Sequence, residues 1–173
     1  MYPDAYIQYL VHFHADRDYF ECHELLEEHW KKEPPSKRLP FWVALIQIAV
    51  AQYHYRRNNQ RGAIRLLSHA RTILENDRKP MIQYGLQDEA LLILLQENIR
   101  QMEEGKAYTS ITLPIADPLL ESILIQECTK LGLEWNSKSD LSNLFLINKH
   151  LLRNRTEVIE ERNKQIKKRK QGL

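Results

Sequence analysis

The segment Phe41–Tyr55 constrains this chain more than any other. It reads FWVALIQIAVAQYHY, apolar almost all round a helix, and Pro40 before it suits a first helical turn. A helix of that kind offers no face to water, so it has to be enclosed. Its longest apolar run, Phe41 to Ala51, is interrupted by Gln47 and is well short of the ~20 residues that span a bilayer. Enclosure by other helices of the same protein is therefore expected. Composition agrees: in 173 residues there are only 5 Gly, and the 43% hydrophobic content suffices for a core. Two cysteines far apart, Cys22 and Cys128, exclude a disulfide scaffold and read as reduced thiols, Cys22 as a small buried hydrophobe. The fold class that follows is all-α: a compact orthogonal or antiparallel bundle of about five helices plus a C-terminal helical appendage.

Prolines, glycines and capping residues set the expected elements. A short helix runs from Asp4 to about His14. A second starts near Asp16 or Arg17 and ends at Lys32 before Pro34 and Pro35. The third occupies Pro40 to about Arg57, the fourth Arg61 to about Asn76, and the fifth Leu86 to Glu104, with Gly105 past its end. Between Ala107 and Ala116 polar and β-branched residues alternate among prolines, which reads as a linker or one extended edge segment. It divides a main unit, residues 1–106, from a linker and two-helix appendage, residues 107–173. In the appendage Asp117 and Pro118 open one helix that reaches about Leu131, and a long helix starts at Leu141.

On a wheel at about 100° per residue with Tyr19 at zero, Trp30 falls near 20°, Phe20 near 100°, Cys22 near 300° and Leu26 near 340°. Glu21, Glu24 and Glu28 take the opposite, wet face. His23 and Glu27 fall near 40° and 80°, inside the apolar arc. A carboxylate there needs a cation, a hydrogen-bonding cluster or a metal. The i, i+4 spacing sets imidazole and carboxylate side by side, half of a divalent-metal site, with Zn, Mn, Fe or Ni all compatible. The same pair also suits a hydrogen-bonded lock between two packed helices, with Trp30 as a core anchor. In the third helix Gln47, His54 and Asn58 form a narrow polar stripe beside Ala44 and Ala51. That stripe is inferred to face His23 and Glu27. It makes His54 a candidate third ligand or proton carrier and Gln47 an orienting hydrogen bonder, or else a core histidine and a satisfied amide.

The stretch FHADRDYFECHELLEEHW followed by FWVALIQIAVAQYHYRRNNQRGAIRLL resembles domain-of-unknown-function family 309 of bacteria and archaea. The resemblance rests on an HxxxExxW signature at His23, Glu27 and Trp30 and an LIQxAxAxYH element at Leu45 to His54, and covers roughly residues 10–75. It implies an all-α domain and a metal-binding role for the His and Glu, with no assigned reaction and no substrate.

Other features carry less. Arg17 reads as surface helix capping, and His12, His14, His29 and His69 as surface or boundary residues without a partner at ligand spacing. No phosphate loop, nucleophile elbow or CxxC pair occurs. The net charge of +2 is a composite: residues 153–173 hold eight Lys and Arg against three Glu, while residues 1–152 hold 17 against 20. The cluster Lys167, Lys168, Arg169 and Lys170 could contact nucleic acid or an acidic partner, although tail charge commonly serves solubility alone. With no signal peptide in MYPDAYIQYL, a cytoplasmic protein is expected, and homo-oligomerisation stays open. Two functional readings follow: a site at His23 and Glu27 holding one divalent metal, with metal-assisted hydrolysis as the generic chemistry, or a non-catalytic helical interaction module in which the cluster is structural.

Overall fold

The computed structural model describes residues 1–152. Helix α1 (Asp4–His14) leads to α2 (Tyr19–Lys32), whose start is fixed by Asp18 accepting the Glu21 N–H at 3.0 Å. A single 3₁₀ turn (Pro35–Lys37) separates it from α3 (Pro40–Arg56). Asn58 turns the chain with φ 61°, and the Asn59 side chain accepts the Gly62 N–H at 3.1 Å to cap α4 (Gln60–Asn76). A short α5 (Lys79–Gln83) precedes α6 (Asp88–Glu103), and α7 (Pro118–Lys130) begins at the capping residue Asp117. Among the described residues no strand forms; one isolated antiparallel bridge joins Leu86 to Ile115.

Helix α3 is the centre, packed between α2 and α4, with α1 against α2, α6 against α4 and α7 against α1. It buries Phe41, Leu45, Ile48 and Tyr55 together with Ala44, Ala49 and Ala51, whose small side chains let its neighbours approach closely. Helix α4, by contrast, buries one stripe, Ala63, Leu67, Ala70 and Leu74, at spacings of four, three and four. At one end an aromatic cluster joins α1, α3 and the α5–α6 turn: the rings of Phe41 and Tyr84 stack at 5.2 Å, Trp42 meets Tyr84 at 4.6 Å, and the Tyr6 hydroxyl donates to the Tyr84 carbonyl.

The chain divides into one compact unit of residues 1–142 and a second beginning at Asn143. The boundary expected after residue 106 thus lies inside the first unit. Residues 107–116 are no linker, because Ile111 and Leu113 of the alternating stretch point into the core and Leu120, Leu124 and Cys128 of α7 join them. Their backbone is pinned as well: Gln87 N–H donates to the Pro114 carbonyl and Ala116 N–H to the Gly85 carbonyl. In the described part of the second unit the long helix expected from Leu141 does not start there: α8 (Leu144–Ile147) and α9 (Lys149–Leu152) follow a turn, and the rest of that expectation lies outside the described residues. Asn148 divides them, its side-chain amide donating to the Leu144 carbonyl in competition with helix continuation. No helix of the described residues is long and apolar enough to cross a membrane.

Candidate metal centre

Helix α2 turns Tyr19, Cys22 and Leu26 into the core. Phe20 and Trp30, the flanks of the arc that contains His23 and Glu27, are only partly buried. That arc is therefore the rim of the helix interface and not its floor. The His23 side chain is 29% exposed and that of Glu27 is 36% exposed. His23 Nε2 stands 3.7 Å from Glu27 Oε2, an ion-pair distance too long for a hydrogen bond. On its other edge His23 Nδ1 lies 3.0 Å from Glu24 Oε1. One donor atom each from His23, Glu24 and Glu27 can be chosen so that all three lie within 4.8 Å of one another. Lys31 Nζ also reaches Glu27 Oε1, at 3.1 Å, one turn further on. A shallow open groove of about 370 Å³ runs past this cluster, lined by Glu24, Glu27, Glu28, Lys31 and Lys32.

The third member of the cluster is thus Glu24, which sequence reasoning set on the wet face, and not His54. Once the His23–Glu27 arc proves to be a rim, the wet face adjoins it, and residues one apart can share an ion. His54 sits at the far end of α3, where its Nδ1 and the Asn59 amide are 3.1 Å apart. Gln47 is turned toward α4, its amide at 2.9–3.0 Å from His69 Nδ1. The polar stripe of α3 therefore meets α4 rather than α2, and Asn58 belongs to the turn after α3. Trp30 carries the Arg38 guanidinium over its ring at 4.4 Å, a cation–π contact at the edge of α2 rather than a wall around a site. Lys167, Lys168, Arg169 and Lys170 lie outside the described residues.

Two residues assigned to the surface are buried instead. His14 is 0% exposed and Arg17 2%. Arg17 occupies left-handed backbone at φ 58°, and its guanidinium donates to the carbonyls of Phe13, Ile111 and Ser137. Arg56, 6% exposed, donates from Nη1 to the Arg17 carbonyl at 2.8 Å and to Ser139 Oγ at 3.1 Å. It also lies over the Tyr19 ring at 4.7 Å. Tyr19, Tyr108 and Ser139 continue the seam as a chain of hydroxyls, at 2.6 and 2.9 Å. Burial pushes the Tyr19 phenol well above its ordinary range, against the pull of both guanidiniums, so it stays neutral. The sequence signal for this seam was the pair of arginines at helix ends, which composition cannot tell from solvent-facing caps.

Helix order and the His/Glu rim define an all-α protein carrying an HxxxExxW element on the second helix. The model of the family described as a domain of unknown function (DUF309) matches residues 6–66, from within α1 through α2 and α3 to the start of α4. The chain belongs to this family. It is similar to the uncharacterized protein YpuF of Bacillus subtilis (strain 168), 53% identical over 172 residues that cover 99% of each chain. No solved structure matches it.

Proposed function

We propose that this protein binds one divalent metal ion on the outer face of α2 through His23, Glu24 and Glu27. The observation that carries this reading is the convergence of one imidazole and two carboxylates within 4.8 Å on consecutive helical faces. The donors fit such an ion. Two donors on one zinc lie at most about 4.3 Å apart, since its bonds to N and O are about 2.0–2.2 Å. Partly exposed glutamates close the remaining gap by a change of rotamer, and Lys31 withdraws from Glu27. One nitrogen and two oxygens suit zinc, manganese or nickel. With three protein donors, a bound ion would keep positions for water and lower its pKa, which is the chemistry metal-assisted hydrolysis requires.

The second reading, an interaction module without metal, is favoured by the same contacts. His23 with Glu24 and Lys31 with Glu27 already pair the charges of the cluster. Calorimetric titration of the untagged full chain with zinc separates the two. Metal binding predicts a one-to-one heat that disappears in His23→Ala and falls at least tenfold in affinity in Glu24→Gln and Glu27→Gln, and a cobalt-loaded sample with visible absorption bands lost in the same variants. Equal heats in the wild type and in His23→Ala would leave the module as the reading. In either case these rim substitutions cost about 1 kcal/mol of stability or less, as exposed ion pairs do.

A further inference from the structure

Beside the Arg17–Arg56 seam lies an open pocket of about 250 Å³, lined by Tyr108, Thr109, Ser110, Lys138, Ser139 and Leu141. Its inner wall is electrostatically unusual. Among the described residues, no hydrogen bond or ion pair joins either buried guanidinium to a carboxylate; both are held by carbonyls, and Arg56 by Ser139. Arg56 Nε and Nη2 are sealed from solvent and have no hydrogen-bond partner at all. The face of Tyr19 offsets part of that charge, but an aromatic quadrupole is a weak substitute for an anion. A buried cation of this kind calls for a counter-charge within a few ångströms.

The charge reaches the pocket through its wall. Because Arg56 Nη1 donates to Ser139 Oγ, the Ser139 hydroxyl has its own proton to give, and the Tyr108 oxygen lies 2.9 Å from Ser139 Oγ and 3.3 Å from Ser110 Oγ. Such a chain of hydroxyls, begun by a cation, is polarised toward an acceptor. Lys138 adds an exposed ammonium at the mouth, and Leu141 an apolar side. The neighbouring acid, Asp140, accepts bonds from Ser142 in its own turn. We propose that this pocket binds a phosphate group, with Lys138 and the hydroxyls of Tyr108, Ser110 and Ser139 on its oxygens and Arg56 as the buried counter-charge behind Ser139. The room beyond the phosphate and the side given by Leu141 suit a phosphate monoester better than the free ion.

The full chain is tested by thermal unfolding in inorganic phosphate, in phenyl phosphate and in chloride at equal ionic strength. Ten millimolar phosphate raises the midpoint by about 3 °C over chloride, and phenyl phosphate raises it further. Equal shifts from the two would assign the site to free phosphate. Lys138→Ala, an exposed change that leaves the core alone, removes most of the shift. Ser139→Asp supplies a resident carboxylate to Arg56, so it raises the midpoint in chloride and abolishes the response to either phosphate. No difference between phosphate and chloride in the wild type overturns the proposal. So does an undiminished response in both variants, which would move the anion to another basic surface.

Discussion

His14 Nδ1 lies 2.8 Å from the Leu10 carbonyl, while its Nε2 lies 2.9 Å from the Leu113 nitrogen. The first contact needs a proton on Nδ1 and the second needs a lone pair on Nε2, so the geometry selects one neutral tautomer. Burial, chiefly, and the nearby Arg17 lower its pKa from the ordinary 6.5 to about 4. The unfolded chain therefore takes up a proton at higher pH than the folded one. The stability contributed is complete above 6.5 and is lost as pH falls toward 4, by about 2 kcal/mol between pH 7.5 and 5. His14→Gln keeps an amide donor and a carbonyl acceptor but does not titrate. Urea unfolding should show the wild type losing about 2 kcal/mol more than this variant over that interval. Parallel pH dependences, or a native imidazole seen by NMR to titrate near 6.5, would refute the assignment. No pattern of spacing marked His14, because its partners are a backbone carbonyl one turn back and a backbone amide 99 residues on. His23 and Glu27 were legible because helix geometry alone makes them neighbours. Their depth was not: a wheel gives an angle, and the burial at that angle depends on whether Phe20 and Trp30 are themselves covered.

At the scale of elements, the long helices were readable and the short ones were not. Asp18, Pro40 and Asp117 with Pro118 start α2, α3 and α7 where their capping and ring chemistry dictate. The five-residue α5 carries too little periodicity to be seen, and the path of residues 107–116 is set by a non-local junction. There the Gly85 carbonyl accepts the Ala116 N–H at 2.7 Å and the Asp117 N–H at 3.3 Å, and the Tyr2 hydroxyl donates to Asp117 at 2.5 Å. Burial and that carboxylate push the Tyr2 phenol up to about 12, so the bond persists throughout the neutral range. Gly85 has φ 76°, and a Cβ added to it would stand 2.8 Å from the Tyr2 hydroxyl and 3.0 Å from a Leu120 methyl. Gly85→Ala should accordingly cost roughly 2–4 kcal/mol, the sum of left-handed strain and crowding. Gly105 has nearly the same φ, 71°, with nothing within 4 Å of its would-be Cβ. Gly105→Ala should cost only about 1–2 kcal/mol, the strain alone. Equal losses in denaturant titrations of the two variants would show that the junction contributes no packing constraint.

For the whole molecule, charge and packing divide the chain in related ways. Among the described residues, those of the core all precede Ser142, the end of the first compact unit. The excess of positive charge lies after residue 152, where eight Lys and Arg face three Glu; before it, 20 acids outnumber 17 Lys and Arg. Removing residues 153–173 should therefore leave the thermal midpoint within about 2 °C of the full chain, because every core residue among the described ones is kept. It should nevertheless reverse the sign of the protein's net charge. At pH 7.5 the shortened chain should bind an anion exchanger and pass through heparin, whereas the full chain should be retained on heparin and elute with salt. If the basic segment also serves nucleic acid, the affinity of the full chain for a mixed-sequence RNA should fall steeply and linearly with log salt concentration, while the shortened chain shows none. Retention of the shortened chain on heparin at the same salt would place the anion-binding surface in residues 1–152. The phosphate response at Lys138 should survive the removal unchanged, since the described residues of that pocket all lie between Tyr108 and Leu141. One truncation thus separates a diffuse, salt-sensitive attraction carried by a cluster of charges from a site built of buried arginine and aligned hydroxyls.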